Sequence, residues 1–160
     1  MPKKRDTKVE VVVMGERHTF STADEMLIDR DDLDTELAQQ AAHFGWFAVL
    51  RDRARMERLR AEAAMDAMEQ ELFLKYRDRP TGEKITVDAI KAKARTDPEY
   101  AKAIDRYQNA DYTERLMGSF VDALSQRKDM IISLARSRHL EMSSPSADEV
   151  ERIKKNLLGR

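Results

Sequence analysis

Between Leu33 and Tyr76 the chain has no proline and a single glycine, Gly45. Apolar or small residues recur there at Phe47, Leu50, Ala54, Ala61, Met65, Met68 and Leu72, with Arg58 interrupting the series. Steps of three and four averaging close to 3.5 residues are the spacing of a packed helical seam. Roughly 43 residues rising 1.5 Å each make a rod of roughly 65 Å. A small globular domain cannot cover such a rod, so it needs a partner helix of similar length. A second seam supplies one. From Pro98 to about His139, Ala103, Ala110, Met117, Leu124 and Ile131 stand seven apart, flanked by Tyr107, Val121 and Ala135, with Glu114 and Lys128 as polar intrusions. Two long helices with matching seams and a short linker predict an all-α fold, a long antiparallel helical hairpin.

The linker carries its own punctuation. Pro80 and Gly82 break the first helix within Arg77–Thr86. Thr86 then caps a short connecting helix, Val87–Arg95. Asp97-Pro98 restarts the chain, with Asp as N-cap and Pro at the first helical position, where its missing N–H costs nothing. Upstream, Val9–Phe20 is the one β-like stretch, with Met14-Gly15 offering a turn. A two-stranded hairpin is marginal alone, so this arm needs a helix or a neighbouring subunit to lie against. Asp24–Glu36 holds seven acids (Asp24, Glu25, Asp29, Asp31, Asp32, Asp34, Glu36), several at the expected start of the long helix, where the macrodipole favours negative charge. At the other end Ser143-Ser144-Pro145 stops the second rod. Ser146 with Glu149 forms a capping box opening a last helix to about Leu158. Its apolar face, Val150, Ile153, Leu157 and Leu158, suits docking on the hairpin or on a partner. The expected organisation is thus an N-terminal arm over 1–23, a helical hairpin over 24–142 and a C-terminal helix over 143–160.

Chemistry is scarce. There is no cysteine, which excludes disulfides, thiolate metal sites and Cys nucleophiles. His18, His43 and His139 lie in different elements and form no His-x-x-x-His or Glu-x-x-His pair. Pro80-Thr81-Gly82-Glu83-Lys84 lacks the strand and spacing of a phosphate-binding loop, and no Gly-x-Ser-x-Gly elbow occurs. With 37% of residues charged, neighbouring carboxylates carry no information. Neither an enzyme, a metal nor a cofactor is expected. No apolar run approaches the length of a membrane span, and MPKKRDTK is not followed by the apolar core of a signal peptide. The expectation is a soluble cytoplasmic protein without a membrane partner.

Charge position says more than the net charge of -1. Residues 43–60 are locally +3 (Arg51, Arg53, Arg55, Arg58 and Arg60 against Asp52 and Glu57), residues 61–74 are -4, and residues 75–95 are +4. The hairpin tip therefore gathers Lys75, Arg77, Arg79, Lys84, Lys91, Lys93 and Arg95 around one aromatic, Tyr76. Cations attract phosphates, and unpaired bases stack on an exposed ring, so these eight residues are the candidate nucleic-acid site. The ordinary alternative is a solvated face laced with i,i+4 pairs. Lys3, Lys4, Arg5 and Lys8 in the arm read either as a solubilising tail or as further phosphate contacts. Apolar residues beyond the two seams, Phe44, Trp46, Val49, Phe73, Phe120, Ile132 and Leu134, are the candidate oligomer interface. Repetition around a closed assembly would multiply the basic tip and turn weak contacts into avid binding of a polyanion.

A family pattern runs through these residues. Leu27-Ile28-Asp29, Leu33, the aromatic pair Trp46-Phe47, Glu62-Ala63, the Tyr76-containing break, the basic Gly-containing linker and Ala123-Leu124-Ser125-Gln126-Arg127-Lys128 together resemble the UvsY-like recombination mediators of T-even phages. The resemblance covers roughly Leu27–Met142 and rests on architecture and scattered identities. It implies a small, non-enzymatic, ring-forming helical protein of phage origin, acting in the host cytoplasm. It further implies that the protein binds single-stranded DNA, contacts the single-strand-binding protein and helps load a RecA-type recombinase. One departure stands out. The family's Lys-x-Arg pair before the tip falls on Gln70 and Leu72 here, beside Glu69 and Glu71, so either the DNA contacts move onward to Lys75, Arg77, Arg79 and Lys84 or DNA binding is weaker. Two other classes fit the same composition: a helical scaffold or adaptor without nucleic-acid binding, and a DNA-mimicking inhibitor using the acids of Asp24–Glu36.

Overall fold

In the computed structural model, residues 7–78 and 86–143 are described. Strands β1 (Lys8–Val13) and β2 (Glu16–Ser21) are followed by helices α1 (Thr22–Glu25), α2 (Leu33–Arg77), α3 (Val87–Arg95) and α4 (Pro98–Ser143). The two long helices run antiparallel. Gln40 meets Leu124 near one end of the pair, Arg58 meets Glu114 midway, and Tyr76 meets Asp97 at the tip. Four of the helical starts have the expected local chemistry. Ser21 Oγ accepts from Asp24 N, Asp32 Oδ1 from Thr35 N, Thr86 Oγ1 from Ala89 N and Asp97 Oδ1 from Glu99 N. Each satisfies an amide that the helix itself leaves without an acceptor. The expected C-terminal helix lies outside the described residues, and α4 runs one turn further than the expected end near His139.

The seam is buried as its spacing predicts in its densest part. Phe47, Leu50, Ala54, Met117, Leu124 and Ile131 are buried, and Leu72 closes the far end with Ala94 and Tyr100. The two polar interruptions of the seam, Arg58 and Glu114, find each other: Arg58 Nε lies 2.5 Å from Glu114 Oε2 and Nη1 lies 2.9 Å from Glu62. Lys128, the other intrusion on α4, is instead exposed, and its neighbour Arg127 is the buried one.

The arm folds back on its own hairpin. The register pairs Val9 with Phe20, Val11 with His18 and Val13 with Glu16. Alternation then puts Val9, Val11, Val13 and Phe20 on one face, which packs on Phe47, Leu50, Leu116 and Phe120. Met14 and Gly15 both have positive φ, 52° and 81°, the requirement of the two-residue turn whose twist matches a hairpin. The turn is tied to α2 by Met14 N–H, which donates to Glu57 Oε2 at 3.0 Å. This packing corrects one expectation. Phe120 is 5% exposed and stacks at 5.2 Å on Phe47 and at 5.5 Å against Phe20, so it belongs to the core beneath the arm and not to an uncovered face.

Candidate nucleic-acid interface

The tip is organised by Asp97. Its carboxylate caps α4, accepts the Tyr76 hydroxyl at 2.6 Å and lies 3.7 Å from Lys75 Nζ. The Tyr76 hydroxyl, then the Glu99 amide, hold the Asp97 carboxyl below its ordinary value. Sequence reasoning gave Asp97 only its capping role; the Asp-Pro pair signals a cap and says nothing of a tyrosine 21 residues earlier. Tyr76 is thereby half-buried against Leu72, Ala94 and Tyr100. Lys93 Nζ stands 5.2 Å and Lys75 Nζ 5.6 Å from the centroid of its ring. The ring anchors two ammonium groups through cation–π contact, a different role from the exposed stacking platform expected of it.

The remaining tip cations divide. Arg77 Nε pairs with Asp78 at 2.8 Å and Arg95 Nε with Glu69 at 3.0 Å, and these carboxylates raise both guanidinium pKa values. Lys91 is exposed and makes no ion pair among the described residues; it borders a shallow groove with Phe73, Glu69, Gln70 and Arg95. Arg79 and Lys84 lie outside the described residues, as do Lys3, Lys4 and Arg5. The structure therefore brings Lys75, Tyr76 and Lys93 into one cluster, with Lys91 about half a turn away on another side of the same short helix. It turns Arg77 and Arg95 toward carboxylates.

The arginines of 51–60 do not form one patch. Arg58 is spent in the seam, Arg51 reaches Asp52, Arg53 reaches Glu16 and Arg60 points to the Met14 sulfur. Two cations that sequence reasoning passed over, Lys102 and Arg106, line a groove of about 360 Å³ with Ala61, Ala64, Met68, Glu99 and Ala103. Their only signal was an i,i+4 spacing on α4. That groove opens on the seam just behind the tip.

Of the expected interface residues, Phe44, Trp46 and Val49 are exposed, while Phe73, Ile132 and Leu134 are half-buried. Trp46 lies edge-on to Phe20 and His18 at 5.7 and 6.0 Å, so its inner edge covers the arm and its outer face meets solvent. No helix among the described residues is long and apolar enough to cross a membrane, and no cluster there suits a metal ion.

No protein-family model and no curated protein matches this sequence. Among solved structures, the recombination mediator protein UvsY of bacteriophage T4 matches with a TM-score of 0.65 and 19% sequence identity, over 74% of this chain and 91% of that one. The chain thus has a UvsY-like fold, a long helical hairpin to which an N-terminal β-arm is joined.

Proposed function

We propose that this protein is a single-stranded DNA-binding recombination mediator. On this reading it helps a RecA-type recombinase load onto strands covered by single-strand-binding protein, in phage homologous recombination and repair. It works without catalysis, as a homo-oligomer, probing DNA in the host cytoplasm with repeated copies of its cationic tip. The observation that carries the reading is the match of nearly the whole length of a recombination mediator to this hairpin. Lys91 and Lys93 support it, since they are exposed ammonium groups at one end of the rod that make no ion pair among the described residues, beside Lys75, which shares its charge with Asp97. Lys102 and Arg106 extend that positive track along the seam.

Filter binding of oligo-dT across a salt series tests this. Retention should fall with salt on a log–log slope of about -0.7 for each phosphate neutralised. Changing Lys75, Lys91 and Lys93 together to Ala should flatten that slope by about two, while light scattering shows the same assembly. Equal retention by the triple variant would move the site elsewhere. A second reading, a helical scaffold or adaptor, is favoured by the carboxylate partners of Arg77 and Arg95 and by the half-buried Tyr76. Absence of retention even at low salt would select it.

A further inference from the structure

The arm is a sheet of two strands, and neither edge carries a third among the described residues. The phase of its ladder follows from two bonds. Thr22 N–H donates to the Thr7 carbonyl at 3.2 Å, and the two-residue turn makes Val13 and Glu16 the bonded pair at the other end. Bonded and non-bonded pairs alternate in an antiparallel ladder. The amides and carbonyls of Lys8, Glu10 and Val12 on β1, and of Arg17 and Thr19 on β2, therefore point away from the hairpin. No backbone bond from these five to another element occurs among the described residues. Neither edge has a proline or a break in register to blunt it.

The edges open on opposite flanks of the rod. On β2, His18 and Phe20 lie against Trp46, and Glu16 lies 3.8 Å from Arg53, so this edge follows the outer flank of α2. On β1, Glu10, Val11 and Val12 share a groove of about 540 Å³ with Asn109, Tyr112 and Thr113 of α4. The strands run along the rod, from the Glu25–His43 pair just past β2 to the turn held by Glu57.

We propose that β1 of one chain pairs with β2 of a second copy, level and antiparallel, so that the arms of an assembly form one continuous sheet. Three features select that occupant. The first is register. A level neighbour sets Glu10 opposite Thr19 and Val12 opposite Arg17, the residues whose backbone groups point outward. The second is charge. Arg17 Nη1 lies 2.7 Å from Glu10 of its own chain, across a diagonal of the ladder. In the level register the neighbour's Arg17 reaches the same carboxylate from the other side, because diagonal neighbours lie within reach of long side chains. The third is the surface beneath. Level strands mean level rods, and the Arg58–Glu114 pair sets Met56 and Tyr112 at one height. Met56 is 49% and Tyr112 64% exposed on opposite flanks, so a neighbour's Met56 comes to Tyr112, a favourable sulfur–aromatic contact. Each chain gives one edge of each kind, and repetition around a ring covers every edge. A β1–β1 contact would leave both β2 edges open.

Single-cysteine chains test the pairing, because the native chain has no cysteine to interfere. Glu10→Cys and Thr19→Cys chains, one of them tagged, are mixed in urea, refolded together and oxidised. The mixed cross-link should predominate on non-reducing gels. A statistical mixture of the three products, or Glu10→Cys chains joined mainly to each other, would overturn the proposal. Thr19→Pro reads the same contact without cysteine. The N–H it removes points outward and takes no part in the hairpin, so the arm stays folded and the emission of Trp46 stays unshifted. Light scattering should show the mass fall toward one chain; an unchanged mass with unshifted emission would overturn the pairing. Where the emission moves to the red, the arm itself has opened and the cross-link decides. The pairing rests on the homo-oligomer of the proposed function, and the two fail separately. A parent that scatters as one chain overturns both, whereas an oligomer without the mixed cross-link overturns the pairing alone.

Discussion

Arg127 is a guanidinium buried to 8% exposure, held by Gln40 Oε1, the Glu36 carboxylate and the Leu27 carbonyl. Gln40 in turn donates to the Leu124 carbonyl at 2.8 Å, so every member of the cluster has a partner. Removing one member of a buried charged network leaves the others desolvated and unpaired. Arg127→Met should therefore lower unfolding stability by about 3–5 kcal/mol, whereas Lys128→Met next to it should change stability by less than about 0.5 kcal/mol. Urea unfolding followed by circular dichroism separates them. Asp97 gives a second residue-scale prediction, in pH. Its carboxyl is depressed below 3.8 in the folded state, foremost by the Tyr76 hydroxyl. A depressed folded pKa stabilises above the unfolded value and loses that contribution as pH falls through the folded one. Tyr76→Phe should thus be less stable than the parent at pH 7, and the difference should shrink below about pH 3.8. Urea midpoints at pH 7, 4 and 3 would read the convergence; a constant gap would assign the tyrosine's contribution to packing alone.

At the scale of elements, periodicity made most of the architecture legible. The seven-residue repeat of α4, the breaks around Pro80 and the Asp97-Pro98 cap are all local signals, and each helix forms where those signals lie. α1 was not foreseen because a four-residue helix has no period to detect; only its cap, Ser21, marks it. The partners of the polar residues were equally hidden. Arg58 and Glu114 read separately as two flaws in two seams, and only the antiparallel register, a long-range property, turns them into one pair. The arm shows the same limit. Alternation at Val9, Val11 and Val13 predicts a strand with one apolar face, but nothing in it tells that the covered side includes Phe120. Phe20 joins the two layers through Phe47, Phe120 and Trp46. Phe20→Ala should cost about 3–5 kcal/mol, the usual range for a buried phenylalanine. It should also move the emission of Trp46, the one tryptophan in the chain, to the red. An unshifted spectrum would mean that the arm does not shield the indole in solution.

For the whole molecule, the consequence turns on where apolar surface stays uncovered. Trp46, Val49 and Met56 are 45, 51 and 49% exposed and share one strip of α2, at i, i+3 and i+10. Apolar side chains exposed along one side of a narrow rod, here with Arg53 among them, are removed from water most economically by another copy of the rod. On the proposed function, that assembly is also what gives the tip its strength. A single chain offers few cations with little carboxylate opposition, and a net charge of -1 adds no long-range attraction for DNA. Linking several tips to one strand multiplies affinity through effective concentration, without any new contact. The two effects come apart in Val49→Glu, which places a carboxylate in the middle of the strip without touching the tip. Light scattering should show its mass fall toward one chain. Binding to an oligo-dT too short to reach two tips should be unchanged, while binding to a long one should weaken by roughly 10²-fold or more. Equal weakening on both lengths would place Val49 at the DNA contact itself. An unchanged mass would locate the assembly face elsewhere on the rod.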